Sequence, residues 1–174
     1  IVSTPREDIG ASMLIAEDLS PKVDVPVEVV PMEELEKVLS NSSNGTIVTS
    51  RYFLQPLEKV AKQHGVRAIA VDLSDFQKEL KILKELSAGS CVGIVSISPG
   101  LLRAAEVIIH SMRGSDLMLM TAISDNNSRL LSLLKTSNHI VCDWPSLSVV
   151  ENTLLKNRSQ LISCLLYTSD AADE

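Results

Sequence analysis

Ser96 and Ser98 flank Ile97 where an apolar run gives way to a helical pattern opened by Pro99 and Gly100. A strand-to-helix turn of this composition presents free N–H groups and the positive end of a helix dipole, which together favour an anion. The plainer reading is that Ser98 caps its own helix. Ser3-Thr4-Pro5-Arg6 is the matching turn near the start of the chain, with Arg6 adding a positive charge. Thr49-Ser50-Arg51-Tyr52-Phe53 closes another apolar run. There Arg51 offers a bidentate fork to carboxylate or phosphate, and Tyr52 a flat face with a hydroxyl. Asp143-Trp144 is its counterpart later in the chain. An arginine and an aromatic facing an aspartate and an aromatic would suit a ligand of mixed charge. The alternative is that Arg51 is a surface residue and Trp144 packs a helix end. The candidate ligand-binding residues are thus Ser3, Thr4, Arg6, Arg51, Tyr52, Ser96, Ser98, Asp143 and Trp144.

Catalytic signatures are thin. There is no G-x-x-x-x-G-K loop, no G-x-G-x-x-G and no G-x-S-x-G elbow. His64, His110 and His139 are scattered without metal-ligand spacing, and Cys91 begins its strand rather than ending it. The chain reads as a binder, not an enzyme, with no cofactor and no metal site expected. Arg103, Glu106, His110 and Arg113 recur at helical spacing opposite Leu102, Ala105, Ile108, Ile109 and Met112. Those charges form either a solvated face or a subunit contact.

The elements that must position these residues come in two sets. Ile1-Val2-Ser3-Thr4-Pro5 has its counterpart in Val95-Ser96-Ile97-Ser98-Pro99, and Thr46-Ile47-Val48-Thr49-Ser50-Arg51 in His139-Ile140-Val141-Cys142-Asp143-Trp144. Each half reads strand, helix, strand, helix, strand, helix, which predicts α/β architecture: two Rossmann-like lobes of parallel sheet related by an internal repeat. Strands are expected at 1–4, 25–30, 46–49 and 66–71, then at 91–97, 116–121 and 140–143, with another near Gln160. The first strand of each lobe should lie between the second and third. Pro31 suits the first position of a helix whose apolar face is Met32, Leu35, Val38 and Leu39. Lobe one is assigned to 1–72, a connector helix with a Ser74/Gln77 capping box to 73–89, and a truncated lobe two to 90–163. Parallel α/β sheets bind ligands beyond the C-terminal ends of their strands, where the candidates fall, so a polar cleft between the lobes is expected.

The last residues, 164–174, read as translation of a sequencing-library adapter, and the chain as a gene fragment open at both ends. That tail holds three of the 22 acidic residues and no Lys or Arg, leaving the remainder with a net charge of −3. So mild an acidity speaks against a nucleic-acid surface, which needs a basic stripe. Cys91 and Cys142 would sit at opposite strand ends, beyond the roughly 7 Å that a disulfide spans. Two buried thiols favour a reducing cytoplasm. No apolar run approaches the roughly 18 residues of a membrane helix.

The stretch GIVSISPGLLRAAEVIIHSMRG at 93–114 closely resembles the C-terminal effector domain of PlmA-type regulators, the cyanobacterial branch of the GntR family of transcription regulators. PREDIGA at 5–11, VPMEEL at 30–35 and VTSRYF at 48–53 resemble the same family. The resemblance implies an effector-sensing and dimerisation domain that acts as a homodimer. It also implies a link to the signalling proteins PII and PipX, and contact with DNA only through an N-terminal winged helix that these residues do not include. A transporter's two-lobed solute-binding protein is the alternative. A signal peptide upstream of Ile1 would favour it, and a winged helix there would eliminate it.

Overall fold

The computed structural model describes residues 1–41, 44–72, 77–157 and 165–169, the last five as backbone only. In it, Val2 is bridged in parallel to Val29 on one side and to Val48 on the other. The first strand of the chain is therefore central, as right-handed crossovers arrange it. The residues group into two units, Ile1–Leu73 and Ser74–Glu174.

In the first unit the chain leaves Val2 through a single turn, Arg6–Asp8, into α1 (Ile9–Leu19). The strand expected at 25–30 reduces to the bridge at Val29, held by Val2 N–H on Glu28 O and Val30 N–H on Val2 O. Pro26 and Pro31 explain this, since a proline has no N–H for a ladder and is tolerated only at a sheet edge. Pro31 then opens the turn Met32–Glu34 into α2 (Leu35–Asn41). β1 (Thr46–Ser50) follows, and the turn Arg51–Phe53 leads into α3 (Leu54–Gln63). Gly65, at φ +68°, makes the left-handed turn that returns the chain to β2 (Arg67–Val71). β2 pairs in parallel with β1, from Thr46 opposite Arg67 to Ser50 opposite Val71. Leu35, Leu39, Ile47, Leu57 and Ala61 form one core cluster, with Met32 and Val38 packed against it as their spacing predicts.

The second unit holds α4 (Gln77–Glu85), β3 (Cys91–Ser96), α5 (Pro99–Arg113) and β4 (Met118–Ile123). It continues with α6 (Asn127–Thr136), β5 (His139–Asp143), α7 (Trp144–Lys156) and β6 (Leu165–Ser169). The sheet order is β4-β3-β5-β6, all parallel, so the first strand is again central. All six residues of β3 are buried, as a strand covered on both faces must be. The period-2 alternation divides them. Val92 and Ile94 face Leu83, Leu102 and Ile109 of α4 and α5, whereas Val95 joins Leu130, Leu133, Leu134 and Val150 of α6 and α7. The fold is thus mixed α/β with parallel sheets flanked by helices, consistent with two Rossmann-like lobes.

Some expectations need adjusting. The helix predicted within the connector is α4, and Leu83 is buried in the core of the second unit. Ser74 of the predicted capping box lies outside the described residues, as does the position near Gln160 where a strand was expected. The segment set aside at 164–174 contains β6, whose backbone pairs with β5 from His139 opposite Leu165 to Asp143 opposite Ser169. Ile108 is exposed, because α5 packs through the stripe Leu102, Ala105, Ile109 and Met112, from which Ile108 is rotated away. Arg113 is no solvated charge either: its guanidinium donates to the carbonyls of Leu83 (3.1 Å) and Lys84 (2.7 Å), satisfying the C-terminal end of α4. Cys91 and Cys142 are both buried and free. Val95 is the neighbour of Cys142, which leaves Cys91 four residues away along β3, about 13 Å.

Candidate functional site

Four strand-to-helix turns carry the candidate residues, two in each unit, and their hydrogen bonds distinguish them. In the second unit the ends of β3 and β5 are tied by Asp143, which is buried. One carboxylate oxygen accepts from the Ser96 hydroxyl (2.5 Å) and from Ile97 N–H (3.0 Å); the other accepts from Ser146 N–H (3.0 Å). The Ser96 hydroxyl in turn accepts from Ser98 N–H at 2.9 Å. The Ser98 hydroxyl accepts from Leu101 N–H at 3.0 Å and so caps α5. Asp143 caps α7 in the same way. Ser96, Ser98 and Asp143 are therefore brought together, bonded to one another and to adjoining backbone. Trp144, just beyond, is about half exposed.

The first turn of the chain is also filled from within. The Thr4 hydroxyl donates to Asp8 O (2.8 Å) and lies 2.8 Å from the Ser12 hydroxyl, all buried. Arg6 N–H, where an anion was expected, donates to both carboxylate oxygens of Glu33 at 3.2 and 3.1 Å. The Glu33 carboxyl is held below its ordinary pKa by its own backbone N–H first and that of Arg6 second. The Arg6 guanidinium pairs with Glu34. Ser3 follows Val2 at the end of the central strand, one position beyond the residue that the repeat aligns with Ser96. There the residue reaching across from β1 is Thr49, whose hydroxyl donates to Ser3 O at 2.6 Å. The Ser3 hydroxyl oxygen itself is buried without a partner.

The Arg51 turn differs from the other three. No side chain caps the turn at Ser50 or the start of α3 at Phe53. Arg51 meets Asp72 as a fork on a fork, Nε to Oδ1 at 3.1 Å and Nη2 to Oδ2 at 2.6 Å. Both side chains stay open to solvent, at 74% and 72% exposure, and Tyr52 is 83% exposed. The hydrogen bonds first, and the attraction of opposite charges second, hold Asp72 below the ordinary carboxylate pKa and Arg51 above its own. Asp72, Glu33, Glu34 and Thr49 are the polar partners that reading along the sequence passes over. The signal for Asp72 was available in principle: parallel pairing sets Ser50 beside Val71, so the next residues, Arg51 and Asp72, leave adjacent strands together.

Among the described residues no group of His, Cys, Asp and Glu is placed to hold a metal ion, and no helix is long and apolar enough to cross a membrane. No curated protein and no solved structure matches the chain. The family model for the C-terminal domain of cyanobacterial PlmA-type GntR regulators matches residues 78–167, more than half of the chain and nearly all of the described second unit. That match contains the Ser96-Ser98 turn, the Asp143 tie and the helices they cap, and by it the chain belongs to the PlmA-type GntR regulators, with residues 78–167 as their C-terminal domain.

Proposed function

We propose that this chain is the effector-sensing and dimerisation part of a GntR-type DNA-binding transcription regulator, working inside the cytoplasm and reaching DNA through a winged helix elsewhere in the regulator. The family match over 78–167 carries this reading. The fold supports it: two α/β units, each with its first strand central and its polar residues gathered at the C-terminal strand ends, are built as ligand-binding sheets are. Charge supports it as well. The chain as a whole carries a net charge of −6, a balance that disfavours a phosphate backbone, so we assign contact with DNA to another part of the regulator. Nothing in the residue pattern calls for catalysis, and the domain is read as non-enzymatic. By the same family reading its protein partners are a second copy of itself and the signalling proteins PII and PipX. The candidate effector contacts are Ser3, Thr4, Arg6, Arg51, Tyr52, Ser96, Ser98, Asp143 and Trp144, with Arg51 the charged one that solvent reaches most freely.

Two measurements on the purified chain test this. Sedimentation velocity should give a dimer, and calorimetry against small carboxylates and phosphates should give saturable heat for at least one of them. A monomer that binds none of these anions would contradict both halves of the proposal.

A further inference from the structure

Arg51 already holds a carboxylate, and it is the protein's own. The Nε and Nη2 contacts to Asp72 are the two parallel hydrogen bonds with which a guanidinium receives a free carboxylate or a phosphate. Elsewhere the corresponding groups are spent on internal structure: Glu33 and Glu34 on Arg6, Asp143 on Ser96, Ile97 and Ser146, and the Ser98 hydroxyl on its own helix. Asp143 and Ser98 are buried, and Arg6, though exposed, is engaged by two carboxylates at once, whereas Arg51 meets one carboxylate in an exposed pair. An exposed pair of this kind is held weakly and is screened by salt, so a second anion competes for the fork at little cost. The neighbouring Tyr52 ring, open to solvent, adds a flat surface on which the body of a small ligand can rest.

We propose that Arg51 is the anion-receiving group of the sensor and that Asp72 is its resident stand-in, displaced when a carboxylate or phosphate on a small ligand takes the fork. This rests on the sensing role above and adds to it the ligand's chemical class and the group it must displace. It also supplies a route for a response. Asp72 follows the last residue of β2 and is the penultimate residue of the first unit, so exchange at Arg51 alters a contact where that unit ends.

The test follows the Arg51 Nε–Hε resonance in the purified chain during titration with succinate and, separately, with inorganic phosphate, at constant ionic strength set with chloride. Saturable movement with one of the two anions is expected, which also identifies the favoured source. Asp72→Asn removes the competing charge and should tighten the apparent Kd roughly two- to fivefold, the span that an exposed ion pair of ordinary strength allows. Arg51→Ala lacks that resonance and is followed by calorimetry instead, where it should bind neither anion. Binding that survives in Arg51→Ala, or that Asp72→Asn leaves unchanged, would overturn the displacement mechanism while leaving a sensing role in place. No saturable response to either anion, in the wild-type chain or in Asp72→Asn, would overturn the sensing role as well.

Discussion

Asp143 shows how one side chain decides what a strand end can do. Its two oxygens receive a hydroxyl and two backbone N–H groups, joining β3, β5 and α7 at one point. Replacing it with alanine removes a helix cap and strands three donors, two of them buried, so Asp143→Ala should cost roughly 3 kcal/mol of stability, measured by urea unfolding. A loss under about 0.5 kcal/mol would mean that the tie is incidental. Beside it, Cys142 is an inert thiol. Burial, then the charge of Asp143, then that of Glu151 push it from the ordinary 9.0 to about 12. The folded chain therefore keeps a proton that the unfolded chain gives up above about pH 9. Its contribution to stability is complete below that pH and is lost as pH rises toward 12. The urea midpoint of the wild-type chain should accordingly fall more steeply over that window than the midpoint of Cys142→Ala; parallel curves would refute the assignment. At this scale the sequence was legible in part. Ser98 is the cap that its place before Pro99 implies, and Asp143 and Arg51 stand at the strand ends where the repeat puts them. Their partners were not legible, because Asp72 and Glu33 meet Arg51 and Arg6 through strand pairing and a crossover, over separations of 21 and 27 residues.

Helices and strands were read more fully, since apolar periodicity and proline placement are local signals. Pro31, Pro99 and Pro145 stand where helical segments begin, and Gly65 makes the left-handed turn that ends α3. The expected strand at 25–30 failed for an equally local reason, its two prolines, while the exposure of Ile108 depends on which stripe of α5 meets the sheet. Gly93 is the element-scale feature whose role only packing reveals. A Cβ there would lie 2.3 Å from Leu133 Cδ2 and 2.7 Å from Ser137 Oγ. Leu133 is fully buried and has little room to retreat. Close approach of α6 to β3 thus requires glycine, and Gly93→Ala should destabilise by about 1–3 kcal/mol through overpacking. Thermal unfolding of the variant checks this, and an unchanged Tm would show that α6 can shift without cost.

At the scale of the whole molecule, each unit repeats one scheme: a central first strand, parallel neighbours on both sides, and polar residues at the C-terminal strand ends. The repeat was legible because both copies keep their apolar runs and turn residues in step, whereas the use made of each turn was not. One turn is closed by Asp143, another is crossed by Thr49, and at a third an arginine pairs with Asp72 in solvent. On the proposed function, the Arg51 fork would receive the signal and a DNA-binding part of the regulator would report it. The most direct measurement is the affinity of the full-length regulator for its promoter DNA, by fluorescence anisotropy, with and without saturating carboxylate or phosphate. The account predicts that one of these anions changes the affinity severalfold in the wild-type regulator and leaves Arg51→Ala unmoved. An affinity that no anion alters, or an anion effect that persists undiminished in Arg51→Ala, would contradict it.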